Sequence, residues 1–104
     1  SIIERCVDEN GEKAITEYEV LKNFNINGED LTEVKCILRT GRTHQIRVHM
    51  AYINHPILGD TLYGKGSNLI NRQALHAYKV KFIHPITKKE IEVISPIPFF
   101  RDYI

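Results

Sequence analysis

The segment Thr40–Met50, TGRTHQIRVHM, concentrates the residue types that could do chemistry. Arg47 is the most informative of them. It lies one position from Ile46 and at helical spacing from Met50 and Ala51, which directs a guanidinium toward an apolar core. An arginine cannot shed its charge, so burial demands a carboxylate or phosphate partner. No Asp or Glu occurs from Val34 to Gly59, and the first acid downstream is Asp60. From the residues alone two readings stay open. One is a snorkelling arginine with a wet head. The other is an arginine built to meet an anion.

Arg42, Thr43, His44 and Gln45 fall at or before the expected helix start. Free backbone N–H groups and a positive dipole end favour anions there, and Arg42 adds a bidentate phosphate donor. A polar cap without a ligand fits the same residues. His44, His49 and His55 are spaced by five and six residues, which puts them on different helix faces and fits no zinc pattern. No metal is expected. Cys36 has no orienting partner for a nucleophilic role. Gly59, Gly64 and Gly66 match neither a dinucleotide fingerprint nor a P-loop and read as turn residues. Asp60 follows a glycine in a loop, so it reads as a turn-former that bonds its own backbone rather than as a catalytic acid.

The elements that must position these groups are short. Lys13–Phe24 is rich in β-formers and reads as a strand, with Asn27-Gly28 as its turn signal and Leu31–Arg39 as an antiparallel partner across a loop somewhat longer than two residues. Thr43 is the expected cap of a helix over His44–Asn54. Its stripes Ile46, Met50, Ile53 and Val48, Tyr52 predict an element buried on two sides, ended by His55-Pro56. His76–His84 and Glu90–Ser95 alternate as a second hairpin, and Phe99–Ile104 reads as a short terminal helix. The sum is an α+β fold: a mixed, mainly antiparallel sheet built from hairpins with one buried helix, in a single domain over residues 1–104.

The 104 residues are 42% apolar and 26% charged, which excludes a disordered or low-complexity chain. No stretch approaches the roughly 18 apolar residues of a membrane span, so no membrane partner is expected. The first ten residues lack the pattern of a secretory signal, so Cys6 and Cys36 are expected as free buried thiols in a cytoplasmic protein. The absence of an initiator Met is expected of a processed, engineered or truncated chain. Net charge is +1, but residues 1–34 carry nine acids and three bases, while residues 35–104 carry four acids and eleven bases. Such a split fits a basic face for a polyanion, and equally an ordinary solvated surface.

Taken together, TGRTHQIRVHM, NHPILGDTLYG, RQALHAYKVKFIHP and SPIP, in this order, closely resemble the C-terminal half of RluA-type RNA pseudouridine synthases. KAITEYEVL also fits the family's A-x-T-x-Y-x-V strand, so the likeness runs from about Gly11 to Pro98. The resemblance implies cofactor-free isomerisation of uridine to pseudouridine in ribosomal or transfer RNA, with the target base flipped out of its stack. An Asp attacks the nucleotide covalently; the base is detached, rotated and rejoined through carbon. Arg47 matches the arginine that pairs with that Asp. Arg42, His44 and Gln45 match positions that line the cleft or hold RNA, and Leu75 an apolar position near the pocket. The family's H-R-L-D segment, which carries the nucleophile, does not occur in these residues. The expectation is therefore the C-terminal portion of a catalytic domain, inactive alone, with sheet edge and apolar surface left uncovered for self-association. The alternative is a non-catalytic RNA-binding module. A structural protein without an RNA role ranks last.

Overall fold

In a computed structural model, residues 2–6, 13–41 and 43–102 are described. They divide into two compact units, Ser1–Ala74 and Leu75–Ile104, where the sequence reading gathers both hairpins around one helix in a single domain.

The first unit is a three-stranded antiparallel sheet, β1 (Ile2–Cys6), β2 (Lys13–Ile26) and β3 (Glu29–Leu38), in the order β1-β2-β3, followed by helix α1 (Gln45–Tyr52). β1 was not foreseen; it pairs with the start of β2, Ile2 opposite Glu17 and Cys6 opposite Lys13. The β2–β3 loop is tighter than expected. Ile26 pairs with Glu29, leaving a two-residue turn in which Asn27 (φ 52°) and Gly28 (φ 85°) are both left-handed. That is the turn chemistry an Asn-Gly pair favours, because its twist matches that of the strands. Asn25 buttresses it, accepting from the Gly28 N–H and donating to Asp30.

The β2–β3 register shifts between Val20 and Lys22, with Leu21 as the extra residue. Val20 lies opposite Val34, whereas Phe24 lies opposite Leu31. Positions 34 and 31 of β3 are an odd number apart and so point to opposite faces. The bulge therefore moves the apolar residues of the outer hairpin to the other side of the sheet. On the near side, the buried residues Ala14 and Thr16 receive α1.

α1 is shorter than Thr43 and Pro56 suggest. His44, not Thr43, is the N-cap; it sits in the left-handed region (φ 53°, ψ 26°) and makes no side-chain cap. At the other end Asn54 (φ 64°) is left-handed. The Asn54 N–H donates to the Ala51 carbonyl and the His55 N–H to that of Met50, which closes the helix before Pro56 is reached. The two-sided apolar burial also fails. The buried stripe is Gln45, His49 and Met50, while Tyr52 is 54% exposed.

The second unit holds the hairpin β4 (Lys79–Ile83) and β5 (Glu90–Ile94), shorter than foreseen. Val80 pairs with Val93 and both are exposed, while Ile91 is half-buried. The His84 N–H donates to the Lys89 carbonyl across the turn. Up to Asp102 the C-terminal segment is bends and turns rather than helix; Tyr103 and Ile104 lie outside the described residues. Cys36 is a free, half-buried thiol whose ionisation burial pushes upward; the Cys6 side chain lies outside the described residues.

Candidate active site

The site is built from the inside outward. Thr40, two residues past β3, accepts from the Ile15 N–H (3.0 Å) and donates to Gln45 Oε1 (2.7 Å). Gln45 Nε2 donates to the Ile15 carbonyl (2.8 Å) and to Thr16 Oγ1 (2.9 Å). Because Thr16 already accepts from Gln45, its own proton is free for His49 Nδ1, 2.8 Å away. This chain of buried donors and acceptors pins the first turns of α1 to β2. An unmade bond here would cost the full desolvation of the orphaned group.

Gln45 and His49 are one turn apart and face the sheet, so Arg47, two residues on, must face elsewhere. It meets the loop at Ile57–Gly64. Arg47 Nε donates to Asp60 Oδ2 (2.9 Å) and Nη2 to Oδ1 (2.8 Å), a bidentate pair. Asp60 is completely buried; the Arg47 side chain retains 16% exposure. Asp60 also accepts the N–H groups of Leu62 (3.1 Å) and Tyr63 (3.3 Å) on Oδ1. Its backbone closes the same loop, with Asp60 N–H to Ile57 O and Gly64 N–H to Asp60 O. The Arg47 guanidinium, aided by the Tyr63 and Leu62 N–H groups, outweighs burial and holds the Asp60 carboxyl at about 2. Bonding to Asp60 in turn holds the Arg47 proton more firmly than usual.

Gly59 lets this loop lie where it does. Its φ is +78°, and a Cβ there would fall 2.0 Å from the Arg72 carbonyl oxygen. The neighbouring Leu58 carbonyl accepts from the Ala74 N–H, so residues 72–74 press directly on the Asp60 loop.

Tyr63 completes the corner. The Arg47 guanidinium carbon lies 5.3 Å from its ring centroid. Its hydroxyl is 3.0 Å from His44 Nδ1, and the two rings meet edge-on at 5.7 Å. Two donor groups stay available: His44 Nε2 is on an exposed side chain, and Arg47 Nη1 has no hydrogen-bond partner among the described residues.

Of the residues singled out from sequence, Arg47 and His44 come together here. Gln45 does not present itself for RNA: it is 3% exposed and its amide is committed to Thr40, Ile15 and Thr16, so its expected binding role is corrected to that of an internal strut. Arg42 lies outside the described residues. Leu75 is half-buried and opens the second unit. Of the two readings left open for Arg47, the arginine that meets an anion holds, and Asp60, the first acid downstream, is that anion. Asp60 is the turn-former foreseen, and the guanidinium's anchor as well. Tyr63 was missed; its signal was the three-residue step from Asp60 in GDTLY, which brings a turn acid and an aromatic to one side. Part of the expected basic face is already neutralised: Arg39 pairs with Glu17, and Lys79 and Lys81 flank Glu92.

An arginine aimed by a buried acid, backed by an aromatic ring and open on one edge, is an anion-receiving corner. The family of this corner is settled by comparison. The sequence profile of the RNA pseudouridylate synthases matches residues 2–52. The chain belongs to the RNA pseudouridine synthase family, in its RluA-type branch. It is 49% identical over 98 residues to the uncharacterized RNA pseudouridine synthase YjbO of Bacillus subtilis, covering 94% of this chain and 33% of that protein. It is 41% identical over 102 residues to ribosomal large subunit pseudouridine synthase D of Escherichia coli, covering 85% of this chain and 30% of that protein. Human RNA pseudouridylate synthase domain containing 1 superposes with a TM-score of 0.77 at 34% identity, over 90% of this chain and 39% of that one. The chain thus spans about a third of the length of the relatives it matches.

Proposed function

We propose that this chain is the arginine-bearing part of an enzyme that isomerises uridine to pseudouridine in RNA, with ribosomal RNA as the substrate class. The observation that carries the reading is the open Nη1 edge of Arg47, on a guanidinium already aimed by Asp60. A nucleophilic Asp belonging to an H-R-L-D segment approaches that edge, and Arg47 holds it ionised for attack on the flipped nucleotide. Asp60 takes Nε and Nη2 and leaves Nη1 for a second acceptor. His44 and Arg42 contact the RNA, and Leu75 borders the base. The relatives named for the ribosomal large subunit support ribosomal over transfer RNA.

The test is a chimera. Ribosomal large subunit pseudouridine synthase D of Escherichia coli, with its matching 102 residues replaced by those of this chain, should release tritium from ribosomal RNA labelled at uridine C5. The 104-residue chain alone should release none. Release by the isolated chain, or no release by a folded chimera, contradicts the proposal. The second reading, a binding module, predicts salt-dependent RNA binding with no activity in either form. Val20, Leu21 and Leu38, exposed on β2 and β3, favour concentration-dependent self-association of the isolated chain. A single monomeric species in sedimentation velocity at high concentration would count against it.

A further inference from the structure

His44 is held in an uncommon state. A non-glycine residue at φ 53° costs energy, and structures retain such residues where the surroundings over-determine them. At an N-cap the side chain normally turns back to the helix N–H groups; His44 makes no such bond. What it does make is the 3.0 Å bond from Nδ1 to the Tyr63 hydroxyl and the edge-on ring contact. Tyr63 is itself fixed twice: its N–H is bound by Asp60 Oδ1, and its ring lies beside the Arg47 guanidinium.

The direction of the His44–Tyr63 bond follows from chemistry. A phenol is the more acidic partner and a neutral imidazole nitrogen the more basic one, so O–H donates to N. With Nδ1 accepting, the proton of neutral His44 must sit on Nε2. We infer that Tyr63 is a positioning residue: its ring backs the Arg47 guanidinium, while its hydroxyl locks His44 into the tautomer that carries its proton on Nε2. Nε2–H and Arg47 Nη1 are then both donors, the kind of group from which an RNA phosphate or a uracil carbonyl accepts. The significance of the lock for catalysis rests on the proposed function; its geometry does not.

Nitrogen NMR of the histidine-labelled chain in alkaline buffer, where imidazole is neutral, decides the lock. For His44 the expected spectrum shows an acceptor-type Nδ1 and a protonated Nε2. In Tyr63→Phe, which keeps the ring, the two signals should move toward the averaged values of a free imidazole. Side-chain protons of Arg47 should stay ring-shifted in Tyr63→Phe and lose that shift in Tyr63→Leu. A protonated Nδ1 in the parent chain, or a His44 spectrum unchanged in Tyr63→Phe, overturns the inference. In the chimera, Tyr63→Phe should lower kcat about fivefold with KM for RNA unchanged. Tyr63→Leu should lose more. Equal loss of kcat in the two variants would assign the effect to the hydroxyl alone and overturn the ring's part. If the chimera with native Tyr63 is inactive, it is the proposed function that fails, and the nitrogen spectrum still decides the lock.

Discussion

Arg47 and Asp60, 13 residues apart, meet through two parallel hydrogen bonds of 2.9 and 2.8 Å, and the acid is buried while the base keeps an exposed edge. The pair joins α1 to the loop that follows it, and its asymmetry decides what each partner can do. Asp60 spends its oxygens on Arg47 and on two backbone N–H groups, so it is a structural acid. Arg47 is oriented and only half used.

Acid should weaken the first unit through Asp60. Its carboxyl titrates at about 2 when folded, against about 3.9 in an unfolded chain. Between those values the unfolded state binds the extra proton, so the contribution is complete above about pH 5 and disappears as pH falls through about 2. Urea midpoints from neutral to strongly acidic pH should show this limb, and Asp60→Asn should flatten it by at most about 2.6 kcal/mol. An identical slope in both proteins would mean that the pair does not form in solution.

Arg47→Ala in the active chimera should lower kcat by about 100-fold or more, as expected for loss of a charge aimed at the reacting group. RNA affinity should change less than about threefold, since one cation among several is lost. Equal losses in both, measured by single-turnover kinetics and filter binding, would make Arg47 a phosphate clamp rather than the partner of a nucleophile.

The buried network should be sensitive where it is densest. Thr16→Val keeps the shape but leaves Gln45 Nε2 and His49 Nδ1 each short of a partner. A loss of about 1–3 kcal/mol is expected in urea unfolding. A change within about 0.5 kcal/mol, the usual scale of a surface substitution, would show that the network rearranges at no cost.

Three glycines should respond in a graded series. Gly59→Ala combines a left-handed φ with a Cβ driven into the Arg72 carbonyl and should cost more than about 3 kcal/mol. Gly28→Ala has space but φ +85°, and about 1 kcal/mol is expected. Gly41→Ala meets neither obstacle and should be near neutral, within about 0.5 kcal/mol. Thermal melts of the three variants would rank them directly, and a soluble Gly59→Ala with native melting would refute the close packing of residues 72–74.

Strand β2, the Asn-Gly turn and the second hairpin were legible because alternation and turn chemistry are local. The helix was placed but misbounded: Thr43 is a better cap on paper than His44, and nothing in a linear pattern announces a left-handed histidine held by a tyrosine 19 residues on. Polar Gln45 and His49 form the buried stripe because each finds partners on a neighbouring strand, which periodicity counted on apolar residues cannot register. The Arg47–Asp60 pair was half visible. The arginine's need for an anion and the lone downstream acid were both plain, but the loop geometry that lets one carboxylate serve turn and guanidinium together was not.

The extra residue at Leu21 separates two properties that a pleated strand normally ties together, its length and the direction in which it shows its side chains. Removing residue 21 should leave Phe24 beside Leu31 and Val20 beside Val34, because the partner strand already runs without a gap there. An insertion or deletion anywhere else in β2 would turn one end of the hairpin inside out. Position 21 is thus the point at which β2 can lose a residue while the pairing on both sides, the seat of α1 and with it the aim of Arg47 stay where they are.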